Sequence, residues 1–285
     1  MKKNKMLKDF FKLNDETEEF DAERMSSQLK TSKHIINVLF RPNELKEMTI
    51  EDIKFENVSL SKTRIEKCTF KNCIFEDCLF IGAVFNEVSF HKCTFKNCNF
   101  FRAAFSHVYG RPEQFKNSII DERYSNIAVH LYQELRENYH LEAQKEFKNE
   151  AEYYFSKWKR KLFVVEAKRK DLSKHQYFPY YFASLLYDII LGYGYRLRNL
   201  VVSTLILITF VIAINHFFAE YLFIGEEHPS LIKSIYFTIT TMATLGASGF
   251  SPLSEVGYAV VTVNVLIGIS VLTATFNSIF RKVIR

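Results

Sequence analysis

The chain has little of what marks a secreted, metal-binding or catalytic protein. Its five cysteines are an odd number, and none is spaced C-x-x-C as a zinc site requires. The opening residues, Met1 to Lys12, are basic, interrupted by lysines and without an apolar core segment, so they do not read as a secretory signal peptide. An odd cysteine count without such a signal fits a reducing compartment. The eight histidines are scattered, and none has a partner at ligand or triad spacing, so neither an enzyme nor a cofactor is expected. A net charge of +6 with 25% charged residues describes an ordinary soluble protein, but the apolar residues are concentrated toward the C-terminal end.

What is present is a period of five. Large apolar residues stand at Ile50, Phe55, Leu60, Ile65, Phe70, Phe75, Phe80, Phe85, Phe90, Phe95, Phe100 and Phe105. Two places before each comes a second, usually smaller residue, from Met48, Ile53 and Val58 through Cys68, Cys73, Cys78 and Ala83 to Cys93, Cys98 and Ala103. Five matches neither the strand period of 2 nor the helix period of 3.6. A short fixed period points to a solenoid whose coils bury their apolar faces against their neighbours. The pattern resembles the pentapeptide-repeat family, whose fold is a right-handed quadrilateral β-helix with both residues pointing inward. The resemblance implies that residues twenty apart stack, Phe55 on Phe75 on Phe95, and Leu60 with Phe80 and Phe100.

All five cysteines occupy the small inward slot. Cys73 over Cys93, or Cys78 over Cys98, leaves a disulfide or metal pair open, and a buried free thiol is the plainer reading. Some members of the family mimic nucleic acid through an acidic surface. Between Glu51 and Arg102 eight basic residues stand against seven acidic ones, so no nucleic-acid partner is expected, whereas protein partners stay open.

Two uncharged stretches follow, Leu200 to Phe218 and Val256 to Ile279, each long enough to cross a bilayer core. Arg196 and Arg198 precede the first, and Arg281, Lys282 and Arg285 follow the second. The intervening loop carries Glu220, Glu226 and Glu227, with Lys233 as its basic residue. The positive-inside rule then places both termini in the cytoplasm and the 219–255 loop outside, in the plasma membrane. Tyr177 to Leu191 is aromatic-rich and reads equally as a helix at the membrane surface or as one packed on the cytosolic part. Between the repeats and the membrane, Ile127, Leu131, Leu135 and Tyr139 form one helical stripe, and Phe147, Ala151, Tyr154, Phe155 and Trp158 another. These predict a helical hairpin over the open end of the solenoid.

In the outer loop, Pro229 and Ser230 read as a helix start, followed by a segment too short to span. Next come Thr241-Met-Ala-Thr-Leu-Gly-Ala-Ser-Gly249 and then Pro252. Irregular backbone at membrane depth is tolerated where it is buried in protein or lines water, and its carbonyls are then free to coordinate a cation. Here the chain resembles the two-transmembrane pore domain of the potassium-channel superfamily, over about 196–285. Thr241, Thr244, Gly246 and Pro252 fall in register with that family's filter motif, and Gly257 and Gly268 match its two second-helix glycines. The resemblance implies a homotetramer with K⁺ or Na⁺ at the Thr244, Leu245 and Gly246 carbonyls. It also implies a hinge at Gly268 and an inner hydrophobic constriction at Phe276 or Phe280.

The chain departs from the family at Ala247, where the filter aromatic stands, at Ser248, where the second glycine stands, and at Gly249, where aspartate stands. Alanine offers less packing and serine adopts φ > 0 at a cost, so weak discrimination between monovalent cations is expected. Glu226, Glu227 and Glu255 either concentrate cations at the outer mouth or are solvated loop charges.

The expected fold is α+β, a multidomain membrane protein. An N-terminal segment and cap (1–46) leads into the β-helix (47–110), a cytosolic helical hairpin (111–175) and an interfacial linker (176–198). A pore domain (199–285) follows, with spans at about 199–219 and 255–280, a re-entrant pore helix at about 229–241 and a filter at 241–249. The expected function is a cation channel gated or regulated by the solenoid through an unidentified cytosolic regulator. The alternative is a membrane-anchored interaction scaffold that conducts nothing.

Overall fold

The computed structural model describes residues 10–14, 16–41, 44–225, 228–246 and 250–283. The chain divides into two compact units, Met1–Phe182 and Ala183–Arg285.

The first unit is built on short parallel strands. In order they are β1 (Glu18–Phe20), β2 (His34–Phe40), β3 (Glu44–Lys46), β4 (Thr49–Glu51), β5 (Lys54–Ser59), β6 (Arg64–Glu66), β7 (Thr69–Lys71), β8 (Ile74–Glu76), β9 (Val84–Asn86), β10 (Ser89–His91), β11 (Thr94–Lys96) and β12 (Ala104–Ser106). They form three ladders, β1-β2-β5-β8-β11, β4-β7-β10 and β3-β6-β9-β12. From β2 onward the register is i to i+20, with Phe55 opposite Phe75 and Phe75 opposite Phe95. Strand spacing in a ladder is about 4.8 Å, and the rings repeat it. Phe55–Phe75, Phe75–Phe95 and Phe80–Phe100 all stack at 4.8 Å. Within one coil the contact changes to edge-to-face, as between Phe70 and Phe75 at 5.6 Å and 70°. The stacking that the resemblance implies is therefore present, and the unit is a β-helix of parallel strands.

The turn between strands is made by a recurring left-handed residue. Asn57, Lys62, Lys67, Asn72, Asp77, Gly82, Glu87, Lys92, Asn97, Arg102 and His107 all have φ between 51° and 65°. Each lies two places after a large inward residue. Asparagine and aspartate tolerate this region better than most side chains, and here they also link coils. Asn97 Nδ2 donates to Asp77 Oδ1 at 2.6 Å and Asn72 Nδ2 to Asp52 Oδ1 at 3.1 Å.

Parallel pairing reaches beyond the recognised repeats at both ends. Ile35 of β2 lies opposite Phe55 and Val38 opposite Val58, and Leu45 of β3 lies opposite Ile65. At the other end Phe115 stacks on Phe95 at 4.6 Å. The last coil is then closed by α2, the second helix after α1 (Ala22–Thr31). From α2 (Ser125–Leu141), Asn138 Nδ2 donates to the Val108 carbonyl at 2.8 Å and its Oδ1 accepts from the Val108 amide at 2.9 Å. Tyr139 OH donates to the Gly110 carbonyl. These bonds replace the next strand at an otherwise open edge. The antiparallel partner α3 (Lys145–Arg169) packs along α2, with Tyr132 stacked on Tyr154 at 5.0 Å. All of Ile127, Leu131, Leu135 and Tyr139 are buried, as the stripe requires.

The five cysteines are free and buried. Cys73 Sγ lies 3.4 Å from the Lys71 carbonyl and 3.5 Å from that of Ile50, so each thiol lines the core as a weak donor. Burial pushes the Cys98 thiol well above its usual range, which keeps it unreactive. Outside the core, Lys54 bonds both Glu56 (2.6 Å) and Glu76 (3.0 Å), and Lys96 reaches Glu76. Lys54 holds the Glu56 carboxyl, and Lys96 that of Glu76, below the ordinary carboxylate range.

Candidate functional site

The second unit holds the two apolar helices. The chain enters it along α4 (Lys174–Leu191), then bends through Gly192–Gly194, where Gly192, Tyr193 and Gly194 have φ of 52°, 55° and 78°. In the C-terminal half of α4 the buried residue is Asp188. Ser184 Oγ meets Tyr193 OH at 2.9 Å, while Leu186, Tyr187, Ile189 and Ile190 are exposed. Helices α5 (Leu197–Phe217) and α8 (Glu255–Val283) follow, with α6 (Ala219–Leu222) and α7 (Leu231–Met242) between them. Leu197–Phe217 and Glu255–Phe280 are long and apolar enough to cross a membrane.

Helix α7 begins where its sequence says it should. Ser230 is the N-cap, its side chain accepting from the Lys233 amide, and Pro229 precedes it. It ends one residue beyond Thr241, which therefore lies in the last helical turn and is buried, at the position where the resemblance has the helix end and the filter strip begin. The Leu245 amide donates to the Thr240 carbonyl at 2.9 Å and the Thr244 amide to the Thr241 carbonyl at 3.0 Å. That pair of bonds is a Schellman closure with Thr244 in the left-handed position, φ 58°. The position usually takes glycine. A β-branched residue there costs about 1–3 kcal/mol. Gly246 is also left-handed at φ 66°. Thr244, Leu245 and Gly246 are exposed, Leu245 by 70%, so this strip points away from the core of its own chain. Ala247, Ser248 and Gly249 lie outside the described residues, as do Glu226 and Glu227.

Beyond the strip the chain is anchored again. Phe250 is buried against Phe237 of α7 at 4.5 Å and Phe223 at 4.9 Å. Ile224 N donates to Ser251 O at 2.9 Å and Leu253 N to Leu222 O at 2.8 Å, clipping the two limbs of the loop together. Sequence reasoning missed Phe250. Its signal was a lone aromatic set between Gly249 and Ser251.

The two glycines of α8 are contact points. A Cβ on Gly268 would fall 2.0 Å from the Met242 carbonyl oxygen, and one on Gly257 would fall 2.4 Å from that of Leu222. Gly268 therefore seats the C-terminal end of α7 against α8. Farther along, Phe276 and Phe280 are exposed with ring centroids 6.4 Å apart, and Glu255 is exposed at the first position of α8. Three polar side chains that the sequence reading did not single out, Asn215, Thr238 and Asn264, are buried where α5, α7 and α8 meet.

The second unit thus places a short capped helix and a loop between two helices long enough to span, after a β-helix in the first unit. Family models match both parts. Residues 50–94 and 60–109 match pentapeptide repeats, and residues 200–285 match the ion channel family. The chain thus carries pentapeptide repeats followed by an ion channel domain. A search of curated proteins finds no match.

Proposed function

We propose that the protein is a homotetrameric channel for monovalent cations, with weak preference between K⁺ and Na⁺. The carrying observation is the exposed Thr244–Gly246 strip, left-handed at Thr244 and Gly246, at the capped end of a short helix between two apolar spans. In this reading α7 is a re-entrant pore helix. Four copies of the strip converge on an axis and offer the Thr244, Leu245 and Gly246 carbonyls to the ion. Ala247, Ser248 and Gly249 form a wider outer part, and Glu226, Glu227 and Glu255 surround the mouth. Both termini lie in the cytoplasm beneath the plasma membrane, α4 rests at the bilayer surface, and Phe276 or Phe280 narrows the inner end. The solenoid, four-sided in cross-section, regulates opening from the cytosol through the 176–198 linker, with Gly268 as the point about which α8 moves. The close seat of Gly268 on Met242 supports a mechanical link between α8 and the filter.

Purified full-length protein in liposomes tests the reading. The expected result is a detergent-solubilised mass of four chains and cation flux with a K⁺/Na⁺ permeability ratio within about one order of magnitude, since few rigid carbonyl rings discriminate. A monomer or dimer without flux refutes it and leaves the anchored scaffold.

A further inference from the structure

Helices α5, α7 and α8 are held to one another by a chain of buried polar side chains, one from each. Asn264 Nδ2 of α8 donates to Asn215 Oδ1 of α5 at 3.2 Å, and Asn215 Nδ2 donates to Thr238 Oγ1 of α7 at 2.9 Å. Thr238 Oγ1 in turn donates to the Ser234 carbonyl at 2.8 Å. All three side chains are buried, Asn215 completely. One helical turn nearer the pore strip, Gly268 closes on the Met242 carbonyl. Thr238 on α7 is thus linked to Asn264 on α8 through Asn215 of α5, and four residues further along each helix Met242 meets Gly268 directly by backbone contact.

We propose that the Asn215–Thr238–Asn264 chain is a register lock for α7, and that its members are positioning residues that set ion discrimination in the pore strip. The inference rests on the channel reading above. Apolar packing alone specifies register poorly between helices in lipid, because the surrounding tails are as apolar as the helix faces. A hydrogen-bonded chain does specify it. Sliding α7 by one residue moves it about 1.5 Å and turns it about 100°, which takes Thr238 away from Asn215 and leaves a buried amide unpaired. The Schellman closure fixes Thr244 and Leu245 to the end of α7, so an error in the helix passes directly to the strip.

The test uses the full chain with Asn264→Leu and Thr238→Val, which keep volume and remove the bonds, and Thr238→Ser, which keeps the hydroxyl. Three quantities are measured: the K⁺/Na⁺ permeability ratio from bi-ionic reversal potentials, oligomer mass, and amide hydrogen exchange over 240–246. We expect Asn264→Leu and Thr238→Val to shift the ratio about threefold or more, the equilibrium weight of one average interhelical bond in a membrane. Exchange should rise at unchanged mass, and Thr238→Ser should keep the wild-type ratio. Should Asn264→Leu fail to assemble, the Thr238→Val and Thr238→Ser pair decides. Variants that assemble, conduct with the wild-type ratio and exchange as wild type overturn the lock. A wild type that carries no ion overturns the channel reading and the selectivity half with it. Exchange over 240–246 then judges the lock alone, supporting it if raised in Thr238→Val and overturning it if unchanged.

Discussion

The two units obtain a unique register by opposite means. In the β-helix the inside is almost wholly apolar and nearly identical from coil to coil, and register comes from ladder hydrogen bonds repeated every twenty residues. Burial of apolar surface from water supplies the driving force there. Between the spans of the second unit that force is absent if lipid surrounds them, and a few exceptional contacts take over. These are the Asn215–Thr238–Asn264 chain and the backbone seats at Gly257 and Gly268. The contrast teaches where single substitutions concentrate their damage. Loss of one ring in the first unit empties a space that several other rings line, whereas one atom gained in the second meets the backbone at a single point.

The largest effect is expected from emptying the middle of the ring column. Phe75 touches Phe55, Phe95, Phe70 and Phe80, so Phe75→Ala should destabilise the solenoid by about 3–5 kcal/mol. Thermal unfolding followed by far-UV circular dichroism measures it, and a loss below about 1 kcal/mol would mean the stack relaxes into the gap. Adding a single methyl to the other unit comes next. Gly268→Ala should cost about 1–3 kcal/mol through overpacking against the Met242 backbone, read as a lowered melting temperature of the detergent-solubilised protein. An unchanged melting temperature would show that α8 can step aside.

The smallest effect separates charge from packing in the first unit. Burial raises the Asp77 carboxyl above its ordinary 3.8, so folding disfavours its ionised form. That penalty is full above the raised value and vanishes below 3.8. Asp77→Asn should therefore stabilise the solenoid by a few tenths of a kcal/mol at neutral pH, with the gain closing as pH falls through that window. Glu56 and Glu76 work with the opposite sign. Held below 4.5 by Lys54 and Lys96, they contribute stability above that value and lose it as pH drops through their lowered ones. Denaturant midpoints of wild type and variant between pH 7 and pH 3 check both slopes.

The inward face of the solenoid was legible because a period of five is rare and phenylalanine marks it almost without interruption. Its start was less so, although Ile35, Phe40 and Leu45 continue the same series backward, interleaved with unrelated polar residues. The corners were not legible at all. Their positive φ falls on Lys, Glu, Arg and His as readily as on Asn or Gly, because the ladders on either side dictate the turn. In the membrane unit the spans, the Ser230 cap and the glycine positions could be read, and Asn215 and Asn264 could not. They are 49 residues apart, and their pairing exists only once three helices have met.

The corner residues carry one further implication for how such a chain can change. Since every rung repeats after twenty residues, the domain can grow or shrink only in whole rungs of about 4.8 Å. A tandem duplication of that length would slip in as a new storey with every corner aligned. An insertion of five would carry each following side of the coil round to a different ladder and unseat the α2 lid from Val108 and Gly110.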